Sequence, residues 1–150
     1  MAIELGGPWP KAEKDDFLQN STLPIRLSLV AEDGYPRVIS LWYKYEHEKL
    51  YCVTHRSSKL AGLLKGNDRV GFEISGDAPP YHGIRGQGNA TIAPLGSNSS
   101  LEDLLMRYIG SLDSDFSRWL LSRRAEELLI EITPLRFFSW DYRERMSEVE

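Results

Sequence analysis

Between Leu23 and Thr54 the apolar residues recur every second position, and this constrains the fold more than any other feature of the chain. In "LPIRLSLVAEDGYPRVISLWYKYEHEKLYCVT", Ile25, Leu27, Leu29 and Ala31 alternate with Arg26, Ser28 and Val30. A period of two is the pattern of a strand with one buried face. Asp33-Gly34 then supplies a tight turn. A second run, 37–45, sets Ile39, Leu41, Tyr43 and Tyr45 against Val38, Ser40, Trp42 and Lys44. Glu46-His47-Glu48 turns the chain into a third strand, 49–54. Spacing this short predicts an antiparallel meander.

The remainder extends that sheet and interrupts it with helices. Leu60, Leu63 and Leu64 share one helical face, and Gly66-Asn67 closes it as a C-cap. "DRVGFEIS" reads as a fourth strand, "GDAPPYHG" as a loop, and "IRGQGNATIAP" as a fifth strand. Glycines 83, 86 and 88 mark that strand as bulged or closely approached. "GSNSSLEDLLMRYIG" begins a Ser-capped helix whose stripe is Leu101, Leu104, Leu105 and Tyr108. A helix over 114–124 offers Phe116, Trp119 and Leu120. "ELLIEIT" and "LRFFSWDY" read as two closing strands separated by Pro134. The expectation is one α+β domain over 1–150, mainly antiparallel β, a six- or seven-stranded barrel with inserted helices. Gly6-Gly7-Pro8 and Pro10 suggest an irregular arm, drawn over 1–16, although "AEKDDFLQNS" has the composition of a short helix; 143–150 reads as a mobile tail.

Charge and motif content narrow the function. With 18 Lys+Arg against 22 Asp+Glu the net charge is −4, which argues against broad nucleic-acid binding. Cys52 is the only cysteine, so no internal disulfide or multi-cysteine zinc site is available, and a reducing cytoplasm is the simplest setting. No window has the apolar length of a membrane span. His47, His55 and His82 have no paired-ligand spacing, so no metal site is expected. Neither a nucleophile elbow nor a Walker A loop is present.

The stretch "THRSSKLAGLLKGND" is the chemically distinctive one. Helix starts favour acids, because the first-turn N–H groups carry partial positive charge. Here His55, Arg56 and Lys59 surround the start, with Ser57 and Ser58 between them and no acid before Asp68. Such a start can take a phosphate, with the hydroxyls donating and the cations neutralising it. The competing reading makes Ser57 an ordinary N-cap among solvated cations. The outward face of the second strand, Val38, Ser40 and Trp42, could hold a flat heteroaromatic ring, or Trp42 could pack under a helix. Arg85 and Gln87 are further polar candidates on the glycine-rich strand.

Taken in order, "RLSLVAEDGYPRVISLWYKYEHEKLYCVTHRSSKLAGLLKGNDRVGFEIS", "YHGIRGQGNATI" and "ITPLRFFSWDY" resemble the pyridoxamine 5'-phosphate oxidase-like family of FMN-binding split barrels, over about Leu23 to Tyr142. The resemblance implies a homodimer with FMN in each of two clefts between subunits, and hydride transfer through the flavin N5 to or from a small-molecule substrate. It lays the strand containing Arg37, Val38, Ile39, Ser40 and Trp42 along the isoalloxazine. Thr54, His55, Arg56, Ser57, Ser58 and Lys59 then lie towards the ribityl chain and phosphate. Arg85, Gln87 and Trp140 approach from the same or the other subunit. Arg37 is kept, but Trp42 stands where the oxidase has Lys, His82-Gly83 replace its Arg-Gln, and its C-terminal Arg-x-His is absent. The resemblance is therefore to the broader oxidoreductase-like branch, with F420 or heme as alternative ligands, and no catalytic side chain is singled out.

Overall fold

The computed structural model describes residues 2–147. β1 (Glu4–Gly6) and α1 (Lys11–Asn20) lead into β2 (Ile25–Val30), β3 (Pro36–Leu41), β4 (Lys44–Glu46) and β5 (Lys49–His55). α2 (Lys59–Gly66), β6 (Arg69–Ser75) and β7 (His82–Pro94) follow. α3 (Ser100–Tyr108), α4 (Asp115–Ser122), β8 (Glu127–Asp141) and the short α5 (Arg143–Ser147) complete the chain. The class is α+β, as expected. Among the described residues there are eight strands, however, in an open sheet of order β3-β2-β6-β7-β8-β5-β4, with β1 added in parallel along β8. The two ends of that order, β3 and β4, are consecutive in the chain and separated only by Trp42-Tyr43.

The alternation in β2 works as read: Ile25, Leu27 and Leu29 are buried, and the β2–β3 register pairs Ser28 with Val38 and Arg26 with Ser40. His47 and Glu48 form a two-residue turn between β4 and β5 with both φ positive, 52° and 61°. That geometry suits the right-handed twist of the flanking strands but strains two residues that are not glycine. The run 37–45 is two strands rather than one. At the break, the Tyr43 hydroxyl donates to the Leu18 carbonyl at 2.8 Å, and the Tyr43 N–H donates to the Tyr108 hydroxyl at 3.2 Å. Buried backbone must be paired, and α3 supplies the partner that the ladder does not.

Two further expectations are corrected. β8 runs unbroken through Pro134. The β7 register shifts between Gln87 and Gly88, where the partners pass from Arg136 to Pro134, so Leu135 is the extra residue of a bulge that accommodates the missing proline N–H. The N-terminal region is not an irregular arm over 1–16: Glu4–Gly6 pairs with Arg136–Phe138, and α1 begins at Lys11. Of the expected tail, 143–147 form α5 and 148–150 lie outside the described residues. The main core gathers Leu27, Leu50, Phe72, Ile74, Ile84, Ile130, Ile132 and Phe137, with Leu18 of α1 and Leu60 of α2 packed onto it. A smaller cluster, Leu95, Leu101 and Leu105, lies with Trp42, Val53 and Leu120 beneath α3 and α4. Among the described residues no helix is long and apolar enough to cross a membrane.

Candidate functional site

The basic opening of α2 has its acid from elsewhere in the chain. Glu126, in the turn before β8, reaches His55 Nε2 at 3.2 Å and Arg56 at 3.9 Å, and its backbone carbonyl accepts from the Arg56 N–H at 2.8 Å. The His55 hydrogen bond, with Arg56 and Arg123 nearby, holds the Glu126 carboxyl below its ordinary range. Ser58, not Ser57, is the N-cap: its hydroxyl accepts from the Ala61 N–H at 3.0 Å and from Thr54 Oγ1 at 2.9 Å. Ser57 Oγ lies 2.7 Å from His55 Nδ1. Lys59, in the first turn, makes no ion pair among the described residues.

β3 runs past this opening with a cavity at each end. One is a groove of ≈ 480 Å³ that brings Arg37, Val38 and Ile39 against Lys59, Leu60 and Gly62. Arg37 is tethered to Asp33 at 2.8 Å, which holds the Asp33 carboxyl low. The other is a cavity of ≈ 470 Å³ under α3 and α4, where Ser40, Trp42, Thr54 and His55 meet Leu120 and Glu127. The Trp42 ring stacks on Tyr108, with centroids 5.1 Å apart and planes 6° from parallel, and meets Phe116 edge-on at 6.1 Å. Its packing under a helix is therefore realised.

The remaining candidates lie apart from that pair of cavities. Arg85 and Gln87 stand on the outer face of β7. There the registers form two cross-strand rows: Val38–Ser28–Gly71–Gln87–Arg136 and Ser40–Arg26–Glu73–Arg85–Phe138. These rows border a shallow hollow of ≈ 750 Å³. Trp140, opposite Gly83 on β8, lines none of these spaces, and its buried Nε1 has no hydrogen-bond partner among the described residues. Sequence reasoning missed Glu126, Glu127 and Arg123. In β8, Glu127 alternates with the buried Ile130 and Ile132 set and belongs to the opposite face, which reads as solvent until α3 and α4 cover it.

No family model and no curated protein sequence matches the chain. Solved structures do. A conserved hypothetical protein from Mycobacterium tuberculosis superposes with a TM-score of 0.74 at 24% identity, covering 97% of this chain and 93% of that one. An F420 reductase matches with a TM-score of 0.65 at 23% identity, over 81% and 94%. A candidate pyridoxamine 5'-phosphate oxidase from Listeria innocua matches with a TM-score of 0.62 at 14% identity, over 88% and 97%. The fold is the pyridoxamine 5'-phosphate oxidase-like split barrel.

Proposed function

We propose that the protein binds a flavin-type cofactor along β3, FMN in the first place, and is an oxidoreductase acting on a small molecule. The observation that carries this reading is the pairing of the two cavities on one strand. The Arg37–Lys59 groove offers two cations to a phosphate, and the Ser40–Thr54 end offers a half-apolar wall to a ring. Lys59 is the main phosphate contact, because it makes no ion pair among the described residues while Arg56 and His55 already face Glu126, and the Ser58 hydroxyl, an acceptor from Thr54 and Ala61, keeps its O–H to donate. The backbone of 38–40 orients the ring, and α3 with α4 keeps water from its inner edge. A bound flavin supplies hydride transfer at N5. The likeness to an F420 reductase supports a second reading, a deazaflavin in the same groove.

The assembly in this reading is a homodimer that covers the outer sheet face. Val38 is 69% exposed there, and Arg26 and Arg85 have no ion pair among the described residues. Sedimentation analysis of the full chain tests it: a dimer is expected, and a monomer at micromolar concentration would overturn the two-subunit cleft. The phosphate end is tested by titrating FMN and riboflavin in parallel. One charge-assisted hydrogen bond contributes about 1.5–3 kcal/mol, so Lys59→Ala should weaken FMN by roughly 10- to 100-fold and leave riboflavin unchanged. Equal losses for both ligands would remove Lys59 from the phosphate site.

A further inference from the structure

Glu127 is an anomaly within the cavity under α3 and α4. It is 5% exposed, and the side-chain partner it has among the described residues is the Arg123 guanidinium. Arg123 Nε stands at 3.9 Å, beyond hydrogen-bond distance, and its guanidinium lies over the Trp119 ring at 4.5 Å instead. His55, directly opposite on β5, has both ring nitrogens engaged, by Glu126 and by Ser57. Burial pushes the Glu127 carboxyl up from its ordinary value. Buried carboxylates are usually held by close hydrogen bonds, so one that lines a cavity with only a 3.9 Å ion pair is open to a donor from outside the chain.

The rest of the cavity defines that partner. Leu101, Leu104, Leu120 and Trp42 make much of its wall apolar, beside Ser40, Thr54, His55 and Arg123, and ≈ 470 Å³ falls within the span of small-molecule sites, about 300–1,000 Å³. A carboxylate accepts hydrogen bonds and repels anions. We propose that Glu127 is the recognition residue of a second-ligand site, which takes an uncharged aromatic or alicyclic ring compound and accepts a hydrogen bond from its N–H. This deepens the flavin reading by naming the class of second reactant, because the cavity that holds Glu127 also holds Ser40 and Thr54, the end that faces the flavin ring in that reading; the binding step itself does not depend on a flavin.

The test uses the full chain without added cofactor and two ring compounds of one shape, indole and benzofuran, titrated calorimetrically. Wild-type protein should bind indole at least about tenfold more tightly, the ratio of one charge-assisted hydrogen bond. Glu127→Leu should erase the preference, and Glu127→Gln, which keeps an acceptor oxygen, should retain part of it. Leu120→Trp should fill the cavity and abolish both. Circular dichroism and the melting temperature establish that each variant is folded. Equal affinities in the wild type, a preference surviving Glu127→Leu, or no binding of either compound would each overturn the proposal. An FMN titration of the same samples separates the two ideas: indole preference without FMN binding removes the flavin and leaves this site.

Discussion

The same one-carbon change should have opposite effects at two glycines. At Gly86 in β7, an added Cβ would lie 2.1 Å from the Arg136 carbonyl oxygen and 2.6 Å from Phe72 Cζ. The first of these is backbone of β8, the partner along the whole of β7, so rotating a side chain cannot relieve the contact. Overpacking of this kind costs about 1–3 kcal/mol, and the backbone contact puts Gly86→Ala towards the upper end. For a chain of this length each kcal/mol moves the melting temperature by roughly 2–4 °C, which predicts a fall of about 4–12 °C. At Gly62 in α2 an added Cβ meets nothing within 4 Å. Gly62→Ala should therefore gain helix stability of about 0.5–1 kcal/mol, a rise of roughly 1–4 °C. Differential scanning calorimetry reads both. A Gly86→Ala protein as stable as the wild type would refute the close approach of β7 and β8, and a fall for both variants would refute the contrast.

Two further outcomes follow from the turn and from the paired glutamates. Glu48→Gly should stabilise the β4–β5 turn by about 1 kcal/mol, because a left-handed φ costs a non-glycine residue that much and the Lys11 contact it removes is an exposed one; urea unfolding would show no gain if the turn has another conformation. Glu126 and Glu127 are adjacent but should respond to pH in opposite directions. The Glu126 carboxyl is lowered by His55, so its contribution is present above the ordinary value of 4.5 and is lost as pH falls through the folded value. The Glu127 carboxyl is raised by burial, so its contribution is full below 4.5 and is lost as pH rises through the folded value. Against wild type, Glu126→Gln should therefore be less stable at neutral pH with the gap closing in acid, and Glu127→Gln should gain on the wild type as pH rises. Urea melts across about pH 3 to 8 that gave parallel trends would contradict the two environments.

What the sequence disclosed depends on how local the cause was. The β2–β3 hairpin was legible because its alternation and the Asp33-Gly34 turn act over neighbouring residues. Gly83, Gly86 and Gly88 announced close backbone approach, and each would place a Cβ within 2.5 Å of a carbonyl oxygen on an adjoining strand. The break at Trp42-Tyr43 was not legible, because Tyr108, more than sixty residues later, satisfies the backbone there. Pro134 looked like a strand end because its missing N–H is a local fact, whereas the bulge that accommodates it belongs to the pairing with β7. The same distinction divides the site. The cations around α2 were visible in sequence, but Glu126 balances them from across the β5–β8 ladder. Glu127 sits on a face whose burial depends on two helices inserted before it.

In the proposed function, β3 and the start of α2 hold a flavin through its phosphate. The most direct measurement is the absorbance spectrum of the purified chain after incubation with FMN, and separately with F420, followed by desalting. A flavin band should survive desalting with FMN in the wild type and be lost in Lys59→Ala. Retention of neither cofactor by the folded wild-type protein would contradict it.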